Sequence, residues 1–534
     1  MVADPMTALT NSVPHAINRL RITTDLLKAI TLEFRRSGWQ RFGLSPDCLR
    51  RRATDQFGTA CQQTGGCRMF FRAFVLVWLL VSGQAMADRP PNIVLLIGDD
   101  HGYPYFGFMG DENVSTPTMD ALAEGGVTIT NAHVPTPYCR PSLRAMVTGL
   151  HPVEYQLRLN EIVERRRHDD KGFESLDATQ QFAWTVAEKA AGMRGFNTLP
   201  KLLREKGYVS WQGGKWWERT YENGHFDEGM TTGWSEEDID DDDFFHELMG
   251  ADGNDLVRKT MEPLFDFIDR NEEGPMFIWF GPSLPHTPFD APYTYRKYYE
   301  DQDISTSAKM YYANISWWDD GVSQLMDYIE GKGILEDTLF IYLSDNGWEQ
   351  DPGVEYWEPG VTYFNDSEFA TGGFRGKGAL HDLSLRTPLI FYWKDHLSPA
   401  FDQTTLASSI DIAPTILDLV GIEVPEEMTG ISLRPLLEGS AVFDGRSELI
   451  AYSDNRRNET PMGAPAEGYA VRTHRWHFYW YTDTGEMRLY DVSIDPRGDA
   501  DLSTSHPDVV MQFKESIAAW KQRVGMTERI EIYE

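Results

Sequence analysis

Four oxygen-bearing side chains and one thiol carry the chemistry this sequence offers. Asp99 and Asp100 follow the apolar run of NIVLLIGDDHG, and Asp345 and Asn346 follow that of LFIYLSDNG. Three carboxylates and an amide make a hard-oxygen set, which selects Ca2+ or Mg2+ over zinc. The thiol is Cys139, in YCRPSLRAMVTG. Pro141 reads as the first helical residue, since its missing N–H would have had no partner, and Gly149 suits the helix end. The spacing therefore predicts a helix whose N-terminus lies at Cys139. Free backbone N–H groups and the helix dipole favour an anion there and lower a thiol pKa. Any single Asp at a strand end reads as a cap or turn residue. Two polar pairs at matching ends point instead to a dication site, converging with the thiol and an anion pocket.

The elements that must position these groups are legible from hydrophobic pattern. Ile93 to Ile97 and Leu339 to Leu343 are short continuous apolar runs, which read as strands buried on both faces. Amphipathic helical stretches lie between and after them: Leu199 to Lys206, Ala308 to Lys332, and residues 408–422 with Pro414 near the start and Gly421 at the end. Strands alternating with helices predict an α/β fold, a large mostly parallel sheet flanked by helices. Ligands of such sheets bind beyond the carboxyl ends of the strands, where both polar pairs fall. From about residue 450 the chain changes character. Alternating aromatic runs broken by DTG, and a helical stretch from Pro507 to Val524, predict a small antiparallel sheet with a terminal helix.

The N-terminal region reads as export machinery. From Met69, MFFRAFVLVWLLVSGQAMAD has a basic residue, an apolar run from Ala73 to Val81 and the small-x-small site Ala85-Met86-Ala87. That is the layout of a secretory signal peptide over 69–87, too short to span a bilayer. Met69 is then the expected initiator, and residues 1–68 a mis-annotated extension. One large domain is expected over 88–449 and a C-terminal subdomain over 450–534. The expected location is secreted or periplasmic, with no membrane attachment after cleavage. Removing residues 1–87 leaves 38 basic against 77 acidic residues, a net charge of −39. Such a chain does not bind nucleic acid by general electrostatics, and it suits a saline exterior. Of the cysteines Cys48, Cys61, Cys67 and Cys139, only the last survives cleavage, so no internal disulfide forms. The acidic run EEDIDDDD, 236–243, reads as a solvated loop.

The ordered set of motifs resembles the sulfatase family of the alkaline-phosphatase-like superfamily. It comprises NIVLLIGDDHG, PTPYCRPSLRAMVTG, GYVSWQGGKWW, PSLPHTPFDAP, LSDNG, GKGALHDLSLRTP, DIAPTILDLVGIEVPEEMTGISLRPLL and RLYDVSIDP. The resemblance implies that Cys139 is oxidised during export, by a formylglycine-generating enzyme, to formylglycine. One hydroxyl of its hydrated aldehyde would attack the sulfur of a sulfate ester and expel the alcohol. The second would lose its proton as sulfate leaves and the aldehyde returns. It further implies one Ca2+, or Mg2+, at Asp99, Asp100, Asp345, Asn346 and residue 139. Lys215 and Lys377 would contact sulfate and neutralise charge growing on its oxygens and on the leaving alcohol, and His286 would contact sulfate or assist proton transfer.

Two positions depart from the family pattern. The motif C-x-P-x-R places arginine at position 143; here Leu143 stands there and Arg144 comes one residue later, rotated by about 100° on a helix. The family commonly has histidine two residues after the first lysine, where this chain has Trp217. Elimination would then need another base, for which His225 and His381 are candidates by type and His381 by its place after Lys377. Trp216, Trp217 and Tyr208 are candidates for a sugar-binding face, with core packing expected for at least one of them. The resulting expectation is a sulfuric ester hydrolase of arylsulfatase type acting on a sulfated small molecule or oligosaccharide. The alternatives are a non-catalytic binder of sulfated glycans and a formylglycine-dependent phosphodiesterase or phosphonate hydrolase.

Overall fold

The computed structural model describes residues 89–234, 244–304, 306–348, 375–440, 443, 445–455 and 465–532. Arg89–Glu534 forms one compact unit. The leader segments 1–68 and 69–87 and the acidic run 236–243 lie outside the described residues.

The larger sheet contains β1 (Asn92–Gly98), β2 (Val127–His133), β3 (Val209–Gly214), β4 (Glu228–Gly229), β5 (Met276–Gly281), β6 (Thr338–Ser344), β7 (Arg386–Trp393), β8 (Ala400–Asp402) and β9 (Ala407–Ser408). Their order is β4-β3-β5-β1-β6-β7-β2-β8, with β9 beside β2. All pairs are parallel except those that β7 makes with β6 and β2. The apolar runs do form buried strands. Alternation divides β1 between two cores: Ile93, Leu95 and Ile97 pack on one face, Val94 and Leu96 on the other. Helices cover both faces. The longest among the described residues, Thr306–Gly331, packs Tyr311, Trp318, Val322 and Leu325 under one of them.

The second sheet is antiparallel, in the order β10 (Glu448–Asn455), β11 (Pro465–Thr473), β12 (Trp476–Tyr481) and β13 (Met487–Asp491). Helix Pro507–Val524 buries Val510, Phe513, Ile517 and Trp520 in a common core with Tyr469, Val471, Phe478 and Leu489. The sheets are tied by Asp382, which accepts from His133 of β2 at 2.9 Å and from Arg472 of β11 at 2.9 Å. No helix among the described residues is long and apolar enough to cross a membrane.

Candidate active site

Four parallel neighbours, β3, β5, β1 and β6, end along one edge of the large sheet, and the site is built from the residues just after those ends. Gly98 pairs with Ser344 in the β1–β6 register, so Asp99 and Asp100 emerge beside Asp345 and Asn346. Asp100 has φ +63°, a left-handed conformation costly for a residue with a side chain. It is pinned by Asp100 N–H to Asp345 Oδ1 at 3.0 Å and by Tyr311 Oη to the Asp100 carbonyl at 2.7 Å. Lys215 follows β3 directly. Its backbone N–H donates to the Gly281 carbonyl at 2.7 Å, an approach that needs Gly214, where a Cβ would lie 1.8 Å from that oxygen. His286 sits in the segment after β5, with Nε2 3.7 Å from Asp100 Oδ2.

Cys139 opens the helix Cys139–Thr148, as its motif predicts. The helix begins at Cys139 itself, two residues before the start expected at Pro141, which becomes its third residue; no N–H of the first turn has an intrahelical partner, so proline is tolerated there as well. Gly149 closes it at φ +65°. The thiol is buried, 3.2 Å from Lys215 Nζ and 3.9 Å from Asp100 Oδ1. Donor atoms of Asp99, Asp100, Cys139 and Asp345 all lie within 4.8 Å of one another. Lys215 Nζ also donates to Asp99 Oδ1 at 2.6 Å and Lys377 Nζ to Asp100 Oδ2 at 2.8 Å, while Asn346 Nδ2 donates to Asp100 Oδ1 at 2.5 Å. Lys377 is held beside the nucleophile strand–helix junction by the Gly378 N–H to Pro137 carbonyl bond, 3.2 Å.

The electrostatics suit a dication and an anion together. Burial pushes the Asp99 carboxyl up to about 7, against the pull of Lys215, and raises Asp345 as well. Burial alone would lower Lys215, but the Asp99 carboxylate holds it above its ordinary value. The thiol differs from the helix-terminus expectation: burial outweighs both lysines and pushes it up. Asp99 Oδ2, Asp345 Oδ2 and Asn346 Oδ1 are buried without a hydrogen-bond partner. Such oxygens are costly unless a ligand satisfies them. Their number, hardness and convergence fit Ca2+ or Mg2+.

The remaining sequence candidates lie elsewhere. Arg144 does not replace the missing motif arginine; its guanidinium pairs with Glu218 at 2.7 and 3.0 Å, and Leu143 is buried in the core. His381 caps the short helix Asp382–Leu385 through Nδ1 and packs on Tyr490 and His477, so its ring is committed to the C-terminal sheet. His225 bonds Thr198 Oγ1 at 3.0 Å. Tyr208 and Trp216 are core residues, their polar atoms bound to the carbonyls of Pro91 and Thr220. Trp217 stays half-buried, with Lys215 Nζ 5.8 Å from its ring centroid. Glu218 was not legible as a site residue; its only sequence signal is its place three residues after Lys215.

A nucleophile position at a helix start, a hard-oxygen cluster at two strand ends and two lysines define a sulfatase-type hydrolase on an alkaline-phosphatase-like fold. The chain belongs to the sulfatase family: the Sulfatase family model matches residues 91–422, and a model described as N-sulphoglucosamine sulphohydrolase, C-terminal, matches 371–523. The chain is 24% identical over 455 residues to human N-acetylgalactosamine-6-sulfatase, covering 79% of this chain and 78% of that protein. It is 26% identical over 483 residues to human arylsulfatase A, covering 81% and 82%. Its fold is similar to that of Ps i-CgsB in complex with k-i-k-neocarrahexaose, with TM-score 0.60, 19% identity, and 81% and 93% of the two chains covered. The protein hydrolyses sulfate esters through a formylglycine derived from Cys139, beside the Asp99, Asp100 and Asp345 metal-binding cluster.

Proposed function

We propose that the protein is an exported Ca2+-dependent sulfatase that removes sulfate from a sulfated carbohydrate. The supporting observation is the meeting of five buried charged side chains at residue 139: Asp99, Asp100 and Asp345 against Lys215 and Lys377. Their formal sum is −1, and a bound dication brings it to +1. A sulfate monoester carries a single negative charge and complements that sum. A phosphate monoester, near −2 at neutral pH, does so less well.

In formylglycine, the position marked by the thiol carries a hydrated aldehyde, which supplies a hydroxyl nucleophile for sulfur. Asp99, Asp100, Asp345 and Asn346 would hold Ca2+, which when bound polarises sulfate oxygens and acidifies the diol. Lys215 holds its ammonium where the nucleophile and an equatorial sulfate oxygen meet, and so neutralises charge that grows in the transition state. Lys377 does the same from the Asp100 side. His286 Nδ1 bonds the Thr287 carbonyl at 2.7 Å, which fixes the ring so that Nε2 faces the site and protonates the departing alcohol. Trp217 takes the place of the family's usual histidine and, beside Lys215, offers an apolar ring face suited to a sugar.

The sugar assignment draws on the names of relatives, one a sulfatase of N-acetylgalactosamine and one a fold neighbour solved with a neocarrahexaose. The remaining parts of the proposal are a signal peptide over 69–87, a catalytic domain over 88–449, a C-terminal subdomain over 450–534, and conversion by a formylglycine-generating enzyme during export to the periplasm or medium. The test is sulfate release from sulfated mono- and oligosaccharides, set against aryl sulfates, phosphate monoesters and phosphate diesters. Preference for sulfated sugars supports the proposal. Cleavage confined to small aryl esters, or faster phosphodiester cleavage, contradicts it.

A further inference from the structure

Glu218 is 2% exposed and receives two guanidinium groups. Arg140 donates to it through Nε at 3.0 Å and Nη2 at 3.3 Å; Arg144 does so through Nε at 2.7 Å and Nη2 at 3.0 Å. The two arginines lie four residues apart, hence on one face of the helix that starts at Cys139. Arg140 immediately follows the nucleophile position. Glu218 belongs to the other side of the site, three residues after Lys215. Its own backbone is fixed, because the Glu218 carbonyl accepts from Thr220 N–H at 2.7 Å and from Asn223 Nδ2 at 2.7 Å. Arg144 is held from behind by Tyr155, its guanidinium carbon 5.0 Å from the ring centroid. The carboxylate thus clamps the helix that carries residue 139 to the segment that carries Lys215.

We propose that Glu218 is a positioning residue for the reaction: by gripping Arg140 and Arg144 it sets the rotation of the nucleophile helix and its spacing from Lys215. This rests on residue 139 as nucleophile. The clamp supplies from outside the Cys139–Gly149 motif the steadying that an arginine at position 143 would give, and it explains how Leu143 is tolerated there. A carboxylate with two fixed forks specifies both distance and angle, which apolar packing of the same volume does not. Buried ion groups of this kind add little net stability over an apolar set, so their contribution here is geometric.

The test compares wild-type enzyme with Glu218→Gln, Arg144→Lys, the triple variant Arg140→Met/Glu218→Leu/Arg144→Met, and Cys139→Ala. The clamp variants are scored for kcat per converted residue 139, for KM with one sulfate ester, and for Tm, and Cys139→Ala for sulfate release per enzyme. Glu218→Gln is expected to lower kcat by about 100-fold with KM changed less than about threefold, the cost of a displaced nucleophile. Arg144→Lys keeps the charge, loses the fork, and is expected to lower kcat as well. The triple variant is expected to recover Tm without recovering kcat. Wild-type kcat in Glu218→Gln, or recovery of kcat together with Tm in the triple variant, overturns the proposal. Activity in Cys139→Ala overturns the nucleophile assignment instead, a distinct result.

Discussion

Lys215 Nζ lies 3.2 Å from Cys139 Sγ and 2.6 Å from Asp99 Oδ1, so one ammonium touches both the nucleophile position and the hard-oxygen cluster. The strand that delivers it, β3, stands two places from β1 in the sheet. Its position is a property of the strand order and of the glycine approach before it, more than of local sequence.

Replacing Lys215 by methionine therefore removes charge stabilisation where it develops. The expected loss in kcat is about 10²- to 10³-fold, with a smaller change in KM. Steady-state kinetics on a single sulfate ester measures the split.

The orphaned oxygens of Asp99, Asp345 and Asn346 predict metal dependence. Chelation is expected to abolish activity, and Ca2+ to restore it. Calcium at about 100 times its Kd is expected to stabilise the folded enzyme by about 2.7 kcal/mol. Thermal unfolding with and without Ca2+ checks this, and Asp345→Asn is expected to lose most of the calcium-dependent rise in Tm.

Asp382 is buried, and removing its charge leaves Arg472 without its carboxylate partner; Arg472 also donates to Asn131 at 2.8 Å. Breaking a buried pair by removing one partner costs about 3–5 kcal/mol. Asp382→Asn is expected to show that loss in chemical denaturation.

Acid should destabilise the fold before it protonates ordinary carboxylates. Burial lowers His133, His151 and His477 to about 4, against an ordinary value near 6.5. His133 and His477 face Asp382 and Arg472, and His151 faces Arg446 and Arg523. Between these two values the unfolded chain binds protons that the folded chain refuses, so stability falls as pH falls through that window. Each imidazole contributes about 2 kcal/mol of loss by pH 5. Below about 4 the folded imidazoles protonate too and their contribution levels off, while Asp382, held well below the usual carboxylate range against burial by Arg472 and His133, adds a further loss. Denaturation midpoints from pH 8 to pH 4 test the sign.

Trp217 is expected to serve the sugar. Trp217→Ala should raise KM for a sulfated oligosaccharide by up to roughly tenfold, the range of an aromatic contact. KM for a small aryl sulfate should change little.

The strand ends and the helix start were legible because each rests on local signals: an apolar run followed by Asp-Asp or Asp-Asn, and a proline just after a cysteine. Lys215, Lys377 and His286 were legible only through the ordered motifs. Direction of side chains was not legible. Arg144 turns to Glu218, 74 residues away in sequence, and His381 turns to Tyr490 of β13 because the short helix it caps points its ring at the second sheet. The C-terminal helix was predicted at Pro507–Val524 and lies there, since its apolar period and flanking Pro and Gly are all local.

The most direct measurement is mass spectrometry of the peptide spanning residue 139, from active enzyme produced with a formylglycine-generating enzyme. The account predicts formylglycine at residue 139, in a fraction that tracks the rate of sulfate release. An active enzyme whose residue 139 is wholly unmodified cysteine would contradict it.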